Sequence, residues 1–260
     1  MKFINLSCMA VLMALGLSSC SNISNLVTNN NTSNVTPNTQ LPATLAESSD
    51  PWHNKVQALK ALPNRYLNQS KVRDIPVEAT RRFEQGLVLI NQQSWSEAQR
   101  LYLNLAEQYP LFSGVWLQLA QIQQAQIATT GDVEAQQQAL DLQNRYLDNA
   151  IKANADNYVA HNKLAMLLRQ QGQFAQALRH YDLALNSWPA FPEARLNRGI
   201  LNDLYMGNKK AALEDYQLYQ AMLTEPSRQL KGWIFDVERQ LQTQQQQYNP
   251  TSGSIKGQDQ

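Results

Sequence analysis

Between Ala160 and Pro189 the chain carries a pattern that two antiparallel helices satisfy. Before Gly172, His161, Leu164, Ala165 and Leu168 recur at the spacing of one helical face, and after it Phe174, Ala177, Leu178, Tyr181, Ala184 and Leu185 do the same. Gly172 separates the two helices and Pro189 closes the second. The short side chains of Ala165, Ala177 and Ala184 let the helix axes approach, while Leu168, Phe174 and Tyr181 fill the gaps between them. A lone hairpin of this kind cannot cover both of its faces, so further copies are expected beside it.

Two such copies follow from alignment on the Gly172 hairpin. From Ala79 to Phe112, the residues Gly86, Trp95, Ala98, Tyr102 and Pro110 fall on the slots of Ala165, Phe174, Ala177, Tyr181 and Pro189. From Pro192 to Leu223, Gly199, Gly207, Ala212, Tyr216 and Tyr219 fall on the slots of Ala165, Gly172, Ala177, Tyr181 and Ala184, with one extra residue before the turn. The stretch between the first two, Ser113 to Asn157, begins with Trp116, Leu119 and Ala120 and ends with Leu147, Ala150 and Ile151, but is roughly 11 residues longer than a period of about 34. The excess flanks Thr129 to Asp132, a helix stop followed by an aspartate cap. Two helices each longer by about a turn and a half absorb it, and their hairpin is expected to project past its neighbours.

The period, the small residues at paired slots and the closing proline resemble the tetratricopeptide repeat, over about 145 of the 260 residues. The resemblance implies an all-α fold: a right-handed solenoid of about four helical hairpins closed by a C-terminal capping helix. Residues 79–112, 158–191 and 192–225 are then three repeats, and 113–157 is a related hairpin with elongated helices. Arg198 and Asn202 depart from the pattern, standing where the family places leucine and an aromatic residue. Terminal elements of a solenoid cap its open ends. Residues 226–247 supply one, with Leu230, Trp233, Ile234, Val237 and Leu241 on a single stripe, before a polar tail at 248–260 that is expected to be disordered. Residues 51–78 are expected to form an N-terminal helical cap on the first hairpin, with Val56, Leu59, Leu62 and Tyr66 at helical spacing broken by Pro63.

The start of the chain reads as an address. Lys2 precedes an apolar run from Phe3 to Leu17 and the small residues Ser18 and Ser19, the layout of a signal peptide at 1–19. Leu17-Ser18-Ser19-Cys20 resembles the lipobox of bacterial lipoproteins, which implies lipidation of Cys20 and anchoring by several acyl chains. The alternative is an ordinary signal peptide with an incidental cysteine. Ser21 is not the aspartate associated with inner-membrane retention, so the expected location is the outer membrane, facing the periplasm. Residues 20–50 then comprise the lipidated cysteine and a disordered tether rich in Asn, Ser and Thr, which as a flexible coil spans roughly 30 Å.

Composition removes several function classes. A net charge of +1 gives no field favouring nucleic acid or an anionic membrane surface. The only cysteines are Cys8 and Cys20, so the folding region has neither a disulfide framework nor a thiolate metal site. No nucleophile elbow, zinc-binding helix motif or phosphate loop is present. His53, His161 and His180 do not group in the sequence; His161 sits on a packing slot and His180 is expected to face solvent. Glu214 and Asp215 are expected on the polar face of a helix, and Trp95, Trp116 and Trp233 on core slots, with Trp188 left between core and surface. The expectation is a non-enzyme with no cofactor, no metal and no small-molecule substrate.

What remains is a surface. In the family this chain resembles, the first helix of each repeat lines a concave groove that takes an extended peptide or a partner helix. The resemblance places Phe83, Leu87, Asn91, Leu117, Gln121, Asn162, Met166, Arg169, Asn197 and Ile200 there. Arg195 and Arg198 either add positive charge to it or are solvated structural residues. The mixture suits an uncharged or weakly acidic segment. Two functions fit: a lipid-anchored adaptor that binds an envelope protein in its groove for cell-envelope assembly, or a structural subunit or pilotin-like assembly factor of a pilus or secretion machine.

Overall fold

The structure, a computed structural model, describes residues 50–68 and 75–248. The expected signal peptide, Cys20 and the expected tether before Asp50 lie outside the described residues, as do residues 69–74 of the expected N-terminal cap and the tail after Tyr248. Two short helices, α1 (Pro51–Ala61) and α2 (Arg65–Asn68), precede four helical hairpins: α3 (Val77–Asn91) with α4 (Trp95–Gln108), α5 (Ser113–Thr129) with α6 (Val133–Ala153), α7 (Tyr158–Gln170) with α8 (Phe174–Ser187), and α9 (Pro192–Leu204) with α10 (Lys209–Met222). A last helix, α11 (Arg228–Tyr248), packs on α10. The result is the expected all-α solenoid of four hairpins with a C-terminal helix. There is no strand among the described residues, and no helix among them is long and apolar enough to cross a membrane.

Local chemistry accounts for the boundaries. The side chains of Asp50, Asp132, Asn157 and Asn208 accept a backbone N–H in the first turns of α1, α6, α7 and α10, satisfying donors that a helix start leaves open. Gly172 turns the α7–α8 hairpin in the left-handed region at φ 76°. On the matching slot of the first hairpin, Gln93 takes the same conformation at φ 59°, where few side chains are found.

Each of three hairpins is keyed by a tyrosine. Tyr102, Tyr181 and Tyr216, all from second helices, are fully buried against the small slots Gly86, Ala165 and Gly199. At Gly86 the approach is closest: a Cβ there would lie 2.3 Å from Tyr102 Cζ, so no larger residue fits without displacing the ring. The elongated pair behaves as expected. α5 and α6 have 17 and 21 residues against 13 and 14 in α7 and α8, which makes them longer by about 6 Å and 10 Å. α5 is enclosed on several sides, burying Val115, Leu117, Gln118, Leu119, Ile122 and Gln123.

The N-terminal segment departs from expectation. It packs not on the first hairpin but on the last two: α1 lies on α10, and Tyr66 of α2 stands edge-on to Tyr158, the first residue of α7, with ring centroids 5.8 Å apart. The cause is complementarity. Lys55 meets Glu214 at 2.7 Å, Arg65 meets Asp156 at 2.8 Å, and Val56 is the one side chain of α1 that is fully buried.

Candidate protein-binding groove

The first helices α3, α5, α7 and α9 carry the groove residues expected from the sequence, and the structure treats them unequally. On α3, Phe83 and Leu87 are half-buried and Asn91 is exposed. Phe83 stacks at an angle on Phe112 at 5.0 Å and meets Tyr102 edge-on at 5.5 Å, while its carbonyl accepts the Tyr102 hydroxyl. On α5, Gln121 is half-buried, but Leu117 departs from expectation: it belongs to the core shared with Leu147, Ala160 and Leu164 and leaves a partner little surface. The cause is the enclosure of α5, which buries the residue following a core slot as well as the slot itself.

On α7 and α9 the structure brings two of the expected residues together. Asn197 Nδ2 donates to Asn162 Oδ1 across the repeat boundary at 3.1 Å, and Asn162 is nearly buried. Met166 rests half-buried on the central core and Ile200 on the core against α11. The side chain of Arg169, also half-buried, makes neither a hydrogen bond nor an ion pair among the described residues. Its charge is felt at the hydroxyls of both Tyr181 and Tyr216. Burial pushes Tyr181 up to about 12 with Arg169 acting against it, so the phenol stays protonated. Its hydroxyl is buried without a hydrogen-bond partner, whereas Tyr102 donates to Phe83 and Tyr216 to Asp203. The Arg169 guanidinium is thus a donor that an acceptor oxygen would satisfy, whereas the Tyr181 hydroxyl is sealed inside the hairpin.

Other charged residues are committed to the fold. Arg198 Nε and Nη2 each donate to Asp215 at 2.8 Å while Nη1 reaches Asp182 at 2.7 Å, and Arg195 adds a longer contact to Asp215 and one to the Pro189 carbonyl. Asp215 is fully buried rather than solvated on a polar face, and the two arginines answer it instead of lending charge to the groove. Burial works against the Arg198 charge, but Asp215 and Asp182 outweigh it and hold the guanidinium above its usual range.

The histidines also correct the sequence reading, because two of them do group. His161 Nδ1 and His180 Nδ1 lie 2.9 Å apart, and His161 Nε2 is 3.0 Å from the Ala155 carbonyl. A carbonyl only accepts, so His161 carries its proton on Nε2, its Nδ1 accepts, and His180 donates from Nδ1. Burial, then His161 and Arg179, depress His180 to about 4. Both polar pairs had a signal in the alignment: Arg195 and Asp215 occupy the slots of His161 and His180. No group of three or more metal-ligating side chains occurs among the described residues.

No family model matches the chain. Among solved structures it is similar to TTC0263, a thermophilic TPR protein of Thermus thermophilus, with a TM-score of 0.51 and 15% identity over 72% of this chain and 91% of that one. It is also similar to YrrB, a TPR protein with an unusual peptide-binding site, at a TM-score of 0.44 and 17% identity over 73% of this chain and 91% of that one. PilW, a widely conserved type IV pilus biogenesis factor, aligns at a TM-score of 0.39 and 16% identity over 69% of this chain and 97% of that one. At these identities the likeness concerns fold alone. The fold is that of a tetratricopeptide solenoid.

Proposed function

We propose that the chain is a non-enzymatic adaptor, anchored to the outer membrane through a lipid on Cys20 and facing the periplasm, that holds a segment of an envelope protein in its groove. The observation that carries this reading is the Arg169 guanidinium, half-buried and with no side-chain hydrogen bond or ion pair among the described residues. An extended peptide supplies what Arg169 lacks, a carbonyl or an acidic side chain, while Asn197, held in place by the nearly buried Asn162, offers its amide and Met166 an apolar rest. A photo-crosslinking residue in place of Met166 should capture one envelope protein in cells. Arg169→Ala combined with Asn162→Ala should lower that capture about tenfold or more, since hydrogen bonds to charged groups contribute about 1.5–3 kcal/mol. An unchanged yield from the folded double variant rules the groove out. For the anchor, a Cys20→Ala chain that still partitions with the outer membrane rules out lipidation.

The overhang of α5 and α6 supports a second reading, a subunit or pilotin-like assembly factor of a pilus or secretion machine with this hairpin as its docking arm. Shortening both helices around Thr129 and Asp132 then disrupts a large complex while leaving groove capture intact.

A further inference from the structure

The N-terminal segment described above behaves as a ligand bound in cis. It rejoins the solenoid at α3, yet its attachments lie on the last two hairpins, with Lys55 paired to a residue 159 positions away. Those attachments are few. The Lys55–Glu214 pair has both side chains half exposed, the Arg65 side chain is 57% exposed, and α1 buries Val56 alone. Exposed ion pairs contribute little to stability, so the hold rests chiefly on Val56 and on Tyr66, which packs against Tyr158, and it must offset the entropy of ordering the segment.

The surface beneath it is more specific than its hold. Tyr158 is flanked by Trp188 at 4.9 Å and Phe191 at 4.7 Å, both edge-on, and Trp188 and Phe191 stack on each other. Beside these rings Asp156 keeps 17% of its side chain exposed and faces Arg65. The loop carrying Asp156 is fixed from below. His161 holds the Ala155 carbonyl, Ser187 donates to the Asp156 carbonyl, and Asn157 donates to Ser113 while capping α7. A rigid aromatic notch with a carboxylate at its rim matches an arginine followed by an aromatic residue on a single helical turn, which is what Arg65 and Tyr66 present.

We propose that this edge of the solenoid is a second protein-binding site, separate from the groove, and that a partner helix presenting an arginine followed by an aromatic residue takes the place of Arg65 and Tyr66. The groove residues Asn162, Met166 and Arg169 lie further along α7, so both sites can be filled at once.

The test uses the full chain and a labelled synthetic peptide of residues 50–68, followed by fluorescence anisotropy. A chain with Arg65→Ala and Tyr66→Ala, whose own segment no longer competes, should bind the peptide at least tenfold more tightly than the unaltered chain. Adding Asp156→Ala should reduce that gain about two- to fivefold, a peptide with Tyr66→Ala should fail to bind, and Arg169→Ala in the groove should change nothing. Absence of peptide binding to the opened chain overturns the proposal. So does loss of the folded circular dichroism signal on opening, which would make the segment an integral part of the solenoid.

Discussion

The hairpins α7–α8 and α9–α10 are adjacent copies of one unit, yet they fill matching slots with different chemistry. Where the first has Leu164 and Leu168 in its core, the second has Arg198 and Asn202; where the first joins its helices through His161 and His180, the second uses Arg195 and Asp215. One is an apolar core with a neutral hydrogen bond. The other is an ion network closed around a buried carboxylate. The backbone geometry is shared, so the fold constrains the small slots and the tyrosine, while the residues between them need only satisfy one another.

The comparison breaks most visibly at Asp215. Asp215→Ala strands two arginines and should cost about 3–5 kcal/mol in urea unfolding. Grafting the α7–α8 chemistry, with Arg195→His, Arg198→Leu and Asp215→His together, should bring stability back to within about 1 kcal/mol of the parent. If the graft is as damaging as the single change, the two chemistries are not interchangeable.

Acid should separate the hairpins next. The unfolded chain takes a proton on His180 near pH 6.5 and the folded chain only near 4, so stability present above pH 6.5 is lost as the pH falls towards 4, by at most about 2–3 kcal/mol once solvent screening of the partly exposed ring is allowed for. Melting curves of the parent and of a chain with His161→Leu and His180→Leu should diverge across that window, and parallel curves would remove the histidine pair from the account.

Gly86→Ala comes after these. Its Cβ meets the Tyr102 ring, and displacing the ring also lengthens the hydroxyl's bond to Phe83, for about 1–3 kcal/mol by thermal unfolding. The smallest effect belongs to Glu214, next in sequence to Asp215 but paired with Lys55 in solvent. Lys55→Ala should shift unfolding by no more than about 1 kcal/mol. Neighbouring carboxylates on one helix would thus differ severalfold in their contribution.

The helices and their junctions are legible in the sequence because small slots, tyrosines and turn residues recur at a fixed period, and periodicity is a local property. Leu117 is misplaced by the rule that puts it in the groove, since that rule assumes a helix covered on one side and α5 is covered on several. Asp215 and the histidine pair escape a reading that takes each helix alone. Aligned slots show a charge facing its opposite and a histidine facing a histidine. The docking of the N-terminal segment leaves no such trace, since it rests on Val56, Tyr66 and two ion pairs that join residues far apart in sequence.

The overhang of α5 and α6 has a consequence for any long occupant of the groove. A strictly periodic solenoid looks the same after a shift by one repeat, so a ligand bound along it has several nearly equivalent alignments. A hairpin whose helices are longer than those of its neighbours by about 3–10 Å marks one position as unlike the rest. A partner that touches that overhang is fixed in register, and slippage along the repeats is removed without any change to the repeats themselves.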